Sequence, residues 1–180
     1  VSGGIAVEAT DGLAAMGDSY GGAGAAGIAS TNATTVIAAT PLATTTIAKG
    51  ADLRARTAVA VGATISAQGV AKSDAFSFAA VGSGGQTYPT WKLGTSEVPA
   101  AAVVAVADDA AITSAGTVTL ASTVAPVSLE ARGDSASGAI GYADPYAGST
   151  TWSHTHSRLE IGSGATVTGI DGIAVRARQE

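Results

Sequence analysis

The sequence predicts an all-β protein built as a parallel β-solenoid with loop insertions rich in glycine and tyrosine. Three observations support this: a motif recurs along the chain, apolar residues alternate within each copy, and the composition favours small side chains. Hydrophobic residues make up 46% of the chain but aromatic residues only 4%, so the apolar side chains are mostly Ala, Val and Ile. Such side chains fill thin, regular layers better than a thick globular core.

The recurring motif aligns at three places without gaps. Each copy reads apolar, three residues, Ala, one residue, apolar, five residues, apolar, one residue, apolar. The copies begin at Ile47, Val106 and Ile161. The final apolar pairs, including one from a partial copy at the start of the chain, begin at Ile5, Val59, Val118 and Ile173. Spacings of 54, 59 and 55 residues around a constant motif are typical of loop insertions on a repeat scaffold.

These spacings predict one repeat-built domain over residues 1–180. Its units are roughly 5–58, 59–117 and 118–172, with the start of a further unit at 173–180. A solenoid coil usually has about 20 residues. We therefore expect a unit of this length to contain two or three coils, or fewer coils with a protruding loop.

Strands are predicted where apolar residues occupy every second position, as in Val59–Ile65 and Val118–Ser122. Segments rich in Gly, Ser and Tyr are predicted to be loops or irregular extended segments: 18–22, 82–89 and 142–148.

The segment from Val98 to Ala111 is rich in alanine and has helical propensity. Its alignment with Ile47 and Ile161 instead places its second half on a strand.

An antiparallel β-sandwich is the alternative architecture. Its turn signals are expected every 8–12 residues along the chain. The ungapped copies favour the solenoid, because stacked coils place like residues above one another.

Two sequence segments, Leu159–Thr168 and Gly116–Ser122, resemble the β-helix repeats of very large bacterial surface proteins of the filamentous-haemagglutinin and giant-adhesin kind. The resemblance implies secretion to the cell surface, a right-handed coil, and a role as a stalk or adhesive surface. The expected partners are neighbouring repeats or other copies of the chain, and a cell-surface glycan or protein.

Composition argues against several other functions. The net charge is −5 and the nine Lys and Arg residues are scattered, which argues against binding nucleic acid. No uninterrupted apolar stretch of about 20 residues predicts a membrane-spanning helix. Cysteine is absent from the sequence, which excludes disulfides and thiolate metal sites.

Arg132-Gly133-Asp134 is an integrin-type tripeptide that an adhesin would be able to use. Such recognition needs the Arg and the Asp at opposite ends of an exposed tight turn. The alternative interpretation is an ordinary glycine turn after Leu129.

His154 and His156 follow Trp152 at alternating positions, which would place them on one face of a strand as half of a metal site. No third ligand is spaced nearby, so an exposed polar strand or loop is the alternative. An isolated calcium ion at an acidic loop such as Asp144 stays open, although no repeated calcium-binding motif is present. No cofactor is predicted.

Asp108 and Asp109 resemble the carboxylate pair of a glycosidase. Their aligned positions, Lys49-Gly50 and Ser163-Gly164, are turn residues, which favours a solvated turn. No nucleophile elbow with a triad, phosphate loop or dinucleotide fingerprint is present. We therefore expect a protein that is not an enzyme.

Three functional hypotheses follow from these observations. The first is a secreted stalk or adhesive segment. The second is a self-assembling subunit of an extracellular filament, pilus or sheath, joined through its matching first and last strands. The third is a carbohydrate-active β-helix enzyme, which would need clustered acidic residues on one outer strand.

Overall fold

The computed structural model describes residues 3–179, which wind through three full coils and begin a fourth. All regular elements in this range are β-strands. Coil 1 contains β1 (Ile5–Ala25), β2 (Ile28–Ala33), β3 (Val36–Ala39), β4 (Leu42–Ile47) and β5 (Asp52–Ala55). Coil 2 contains β6 (Ala58–Ala79), β7 (Gly82–Thr87), β8 (Thr90–Leu93), β9 (Ala100–Val106) and β10 (Ala111–Ser114). Coil 3 contains β11 (Thr117–Ala139), β12 (Tyr142–Ala147), β13 (Thr150–Ser153), β14 (Thr155–Ile161) and β15 (Thr166–Gly169), and coil 4 begins with β16 (Gly172–Gln179).

Each strand stacks on its equivalent in the next coil. The long strands form one sheet in the order β1-β6-β11-β16, and the short strands form four sheets of three strands each. The pairings between the described strands are parallel. The predicted parallel β-solenoid is therefore confirmed, and the antiparallel sandwich is wrong.

The ladders join the residues that the motif aligned. Ile5 pairs with Val59, Val59 with Val118, and Val118 with Ile173. Each unit is thus a single coil, so of the two arrangements expected, two or three coils in each unit is wrong. The smaller number of coils is correct, although long strands replace the protruding loop. The reason is the long strand: β6 has 22 residues, which extend over roughly 70 Å. Four short strands then return along the opposite side.

Two local irregularities account for the unequal spacings. Coil 2 carries an insertion at residues 95–99 between β8 and β9, closed by a hydrogen bond from Thr95 N to Val98 O (2.8 Å). Coil 3 carries a bulge in β11, where the register against β6 shifts between Val124 and Val127. Pro126 lies at this bulge, and proline is tolerated there because it has no N–H to donate to a ladder.

The long sheet and the short strands form two walls that face each other. Residues alternate between inward and outward positions along both walls. Side chains also join the walls directly: Thr45 Oγ1 donates to Gly62 O (2.5 Å), and Ser122 Oγ donates to Ala102 O (2.7 Å).

The space between the walls differs from one end of the long strands to the other. We call the end near the start of β6 the aliphatic half, because Val, Ile and Leu side chains fill it. Its fully buried members include Val59, Val61, Ile65, Val104, Val106, Ile112, Val118 and Leu120. Burial of each such side chain is worth about 1.5–3 kcal/mol, so this half contains most of the hydrophobic stabilisation.

We call the other end the small-residue half, where Ala71 to Ala79 of β6 faces β7. Its buried side chains are Ala, Ser and Thr, and the walls approach closely. A Cβ added to Gly85 would lie 3.0 Å from Ala136 O and 3.3 Å from Ala75 O. Trp91 is fully buried at the boundary between the halves, with its ring beside Gly69.

Three segments predicted as loops lie within strands instead. Residues 18–22 belong to β1, 82–87 form β7 and 142–147 form β12. Glycine disfavours strands in isolation, but parallel ladders on one or both sides hold these segments extended. The Ala-rich segment contains β9 at Ala100–Val106, so it is extended and not helical. The strand lies mainly in its first half, whereas most of the second half, which was predicted as strand, forms the turn at Asp108 and Asp109. The described residues include no helix of the length and hydrophobicity that a bilayer crossing needs.

Candidate functional site

Arg132, Gly133 and Asp134 lie in the middle of β11 and not on a turn. They pair with Lys72, Ser73 and Asp74 of β6. Arg132 and Asp134 are exposed on the outer face of the long sheet, and the Arg132 guanidinium contacts Glu130. This extended geometry differs from the tight turn that integrin-type recognition needs, and also from the ordinary glycine turn considered as its alternative.

On coil 3, His154 lies between two strands, whereas His156 lies within a strand. His154 lies at the junction between β13 and β14, with its ring 6.0 Å from that of Trp152 in an edge-on arrangement. His156 is exposed on β14, where it pairs with Ala101. Within residues 3–179, no group of three or more His, Cys, Asp or Glu side chains is arranged to hold a metal ion.

Asp108 and Asp109 form a turn, as their alignment indicates. The residues equivalent to Asp109 in the other coils are Gly50 and Gly164. All three positions have positive φ: 69° at Gly50, 57° at Asp109 and 71° at Gly164. Aspartate is among the few residues with side chains that tolerate this conformation. Asp108 Oδ1 accepts a hydrogen bond from Ser163 N (2.8 Å) in the turn above. These carboxylates therefore link stacked turns, and the turn interpretation is confirmed.

The candidate functional site is a groove on the outer face of the sheet formed by β2, β7 and β12. Two adjoining depressions of about 380 Å³ each share Ser30, Gly84 and Asp144. The outward residues of these strands stack in three columns across the coils: Ile28–Gly82–Tyr142, Ser30–Gly84–Asp144 and Asn32–Gln86–Tyr146. We call this site the glycine-floored groove, because Gly82 and Gly84 leave a depression between the side chains of coils 1 and 3.

The two floor glycines are not required by the backbone. Neither has a positive φ. An added Cβ at Gly84 would lie 3.4 Å from its nearest neighbour, Asp144 O, and one at Gly82 would lie 3.7 Å from Tyr142 O. Both distances are ordinary van der Waals contacts, so these positions would accept a side chain. Glycine here opens the surface without serving the fold.

Tyr142 and Asp144 form the wall of the groove that belongs to coil 3, and they interact with each other. The Asp144 carboxylate raises the pKa of the Tyr142 phenol, chiefly through its charge, then by accepting the phenol's hydrogen bond, with desolvation adding to both. The carboxylate is exposed. It therefore retains acceptor capacity for a ligand beyond the bond to Tyr142.

The far end of the groove carries a second aromatic group. The rings of Tyr88 and Tyr146 are 5.5 Å apart and tilted by 38°. Tyr88 Oη donates to Gln86 Oε1 (3.2 Å), which holds the amide beside the groove. Tyr142 and Tyr146 point outward from the same strand, four residues and thus roughly 13 Å apart. Asp144 lies between them.

A second charged surface lies on the outer face of the long sheet. Lys72 Nζ is 2.6 Å from Asp74 Oδ2. Asp74 raises the pKa of Lys72 by hydrogen bonding and by charge, and Asp18 and Asp134 add to this through their charges. Acidic and basic groups are interleaved there, so the surface has no single-sign patch for a charged partner.

The groove was not predicted from sequence, because both of its main strands were predicted to be loops. A signal was present in two places. Tyr142, Asp144 and Tyr146 alternate with period two, as outward residues of a strand do. Gly82 and Gly84 have the same period and align with Tyr142 and Asp144.

Comparisons with protein-family models, with curated proteins and with solved structures give no match to this chain. The geometry of the chain itself, and first the glycine-floored groove, is therefore the guide to its function.

Proposed function

We propose that the chain is a segment of an extracellular structural and adhesive protein, in which the stacked coils form a stalk or a cell-surface contact. In this role the protein is not an enzyme, and its activity is spread over a face of the coil stack. The observation that carries the proposal is the stack itself. Five sets of parallel ladders cross each of the two boundaries between the three full coils, with nearly constant register. Such a scaffold presents the same outward positions again in each coil.

The distribution of large apolar side chains also supports a contact role. Tyr20, Phe78, Tyr142, Tyr146 and Trp152 are all more than half exposed. Aromatic residues are few in this chain, so their placement on the surface is informative. Exposed apolar patches mark surfaces that meet a partner.

The test is surface labelling of the cells that produce the protein. Antibodies raised against the folded chain are applied to intact and to permeabilised cells. We expect intact cells to be labelled, and cells that lack the protein to attach less well to surfaces or to other cells. Labelling that requires permeabilisation would overturn the proposal.

A self-assembling subunit of an extracellular filament, pilus or sheath is the second candidate. It is favoured by the match between β1 and β16: Ile5 and Ile173 occupy one column of the long sheet. Strands with matching patterns are able to pair edge to edge between copies of a chain.

One residue of β1 would oppose assembly of copies through that strand. Asp11 points inward from β1, in the column that Ile65 and Val124 occupy in the next coils. Its Oδ2 accepts a hydrogen bond from Leu42 N (2.9 Å). An inward-pointing charge on an edge strand discourages edge-to-edge pairing.

Sedimentation velocity over a wide concentration range tests the second candidate. A filament subunit gives a ladder of linear oligomers, and Asp11→Val shifts that ladder to lower concentration. A single species at all concentrations for both proteins would rule this candidate out.

A further inference from the structure

We infer that the glycine-floored groove binds a neutral glycan, an oligosaccharide of uncharged sugars. The inference deepens the adhesive part of the proposed function and rests on it. The groove is lined by the exposed ring of Tyr142 and by side-chain oxygen and nitrogen atoms, and the exposed ring of Tyr146 lies at its far end. Sugars offer complementary chemistry, because their apolar C–H faces pack on aromatic rings while their hydroxyls exchange hydrogen bonds with carboxylates and amides.

The polar groups occupy the middle of the groove and its Tyr146 end. The Ser30 hydroxyl and the Asp144 carboxylate line both depressions, and the amides of Asn32 and Gln86 line one of them. All four side chains are exposed. Together they supply donors and acceptors in two neighbouring columns, and a few such groups on a shaped surface fix the orientation of a ligand.

The backbone argues against a peptide as the ligand. The groove floor is β7, which is the middle strand of its sheet and pairs with β2 on one side and β12 on the other. Its N–H and C=O groups are therefore engaged in both ladders. A peptide added as a strand needs a free edge, so recognition at this floor must come from side chains.

Charge argues for a neutral ligand. Asp144 is the one charged residue among those lining the two depressions. An anionic polysaccharide or a phosphate group would be repelled by this carboxylate. A wholly apolar ligand would remove the carboxylate from water without a partner, which is unfavourable. A hydroxyl-rich neutral chain avoids both penalties.

The floor glycines provide the sharpest test, because a side chain at Gly84 would fill the groove. We would measure binding of the purified chain to a panel of neutral and acidic oligosaccharides by array and then by calorimetry. Gly84→Val is compared with Gly62→Val. Gly62 is also an outward glycine of coil 2, with its nearest neighbours at 3.6 and 3.8 Å, but it lies in the aliphatic half.

We expect at least one neutral oligosaccharide to bind, and Gly84→Val to weaken its affinity by tenfold or more. Gly62→Val should bind as the original chain does. Tyr142→Ala should also weaken binding by tenfold or more, whereas Tyr20→Ala, which removes an exposed ring from the long sheet, should not. Thermal unfolding midpoints separate lost binding from lost folding. If Gly84→Val proves unstable, the Tyr142→Ala and Tyr20→Ala pair decides the question.

Three results would overturn the inference. One is failure of every neutral oligosaccharide to bind, and another is preference for acidic glycans. The third is equal binding by the Gly84→Val and Gly62→Val variants. None of these results would change the labelling expected for intact cells. Failure of the glycan site and failure of the proposed function are therefore distinguishable.

Discussion

The aliphatic half and the small-residue half of each coil are built on the same long strands but are held together differently. In the aliphatic half, residues such as Ile65 and Leu120 are fully buried between the walls. In the small-residue half the buried side chains include Ala75, Ser77 and Thr87. Burial of an alanine removes little apolar surface from water, so this half relies more on its backbone ladders.

The difference between the halves separates stability from contact. The glycine-floored groove lies on the outer side of the small-residue half, because β7 forms both the groove floor and the inner wall. Side chains that would fill a core elsewhere, such as Tyr142 and Phe78, face solvent here. The half with the weaker core thus carries the surface for which we propose a ligand. Four substitutions test this comparison.

Leu120→Ala should have the largest effect. Leu120 is fully buried in the aliphatic half, and truncation of such a residue removes apolar burial and leaves a cavity. We expect the free energy of unfolding to fall by about 3 kcal/mol, measured by urea denaturation. Equal loss from Ala75→Gly in the small-residue half would contradict the proposed division of stability.

Gly85→Val should have the next largest effect on the free energy of unfolding. Its side chain would push against the backbone oxygens of Ala136 and Ala75, at 3.0 and 3.3 Å from the new Cβ. Separation of the two walls should lower the unfolding free energy by about 2 kcal/mol. Gly84→Val is the control one residue away on the outer face, and its unfolding midpoint should hardly change. A stable Gly85→Val protein would show that the walls are free to move apart.

Ser77→Ala should be neutral or slightly stabilising. The Ser77 hydroxyl is fully buried and makes no hydrogen bond to any group of residues 3–179. Removing an unpaired buried hydroxyl should raise the unfolding free energy by up to about 1 kcal/mol. The control is Ser122→Ala, whose hydroxyl donates to Ala102 O in the aliphatic half. Ser122→Ala should lower the free energy of unfolding. If Ser77→Ala proves less stable than Ser122→Ala, the Ser77 hydroxyl has a hydrogen-bond partner in solution.

Lys72→Met should have the smallest effect, best measured through the pH dependence of stability. Asp74 raises the pKa of Lys72 in the folded chain above the ordinary value of 10.5. The stabilisation is therefore fully present below the unfolded pKa and is lost as pH rises through the folded pKa. Urea unfolding of both proteins from neutral pH into this alkaline range should show a steeper decline for the original chain. Parallel declines would show that the surface pair adds nothing to this half.

The two halves also differed in how far the sequence predicted them. In the aliphatic half, Val59 and Val118 repeat a period-two apolar pattern, which indicated both the strands and the register that pairs them. The small-residue half has no such pattern, because Gly, Ser and Ala are compatible with both inward and outward positions. Its strands form because parallel neighbours hold them extended, which is a long-range effect that local propensity does not contain.

The strand-forming effect of parallel neighbours also explains why the groove was missed. The unusual length of β6 explains why two or three coils in each unit were expected. Gly84 was interpreted as a loop residue because glycine punctuates chains, whereas here it gives space on a strand surface. A single strand as long as β6 lies far outside the usual length of 3–10 residues. Division of the unit into several shorter coils was therefore the natural expectation.

The length of the coil also determines the proportions of the whole object. A full turn from Ile5 to Val59 takes 54 residues and raises the stack by one strand spacing, about 4.8 Å. The same chain wound in coils of about 20 residues would climb more than twice as far. This protein is instead a plank roughly 70 Å broad, which adds area much faster than height. A narrow rod gives more reach from the same number of residues, whereas a plank suits many weak contacts made side by side.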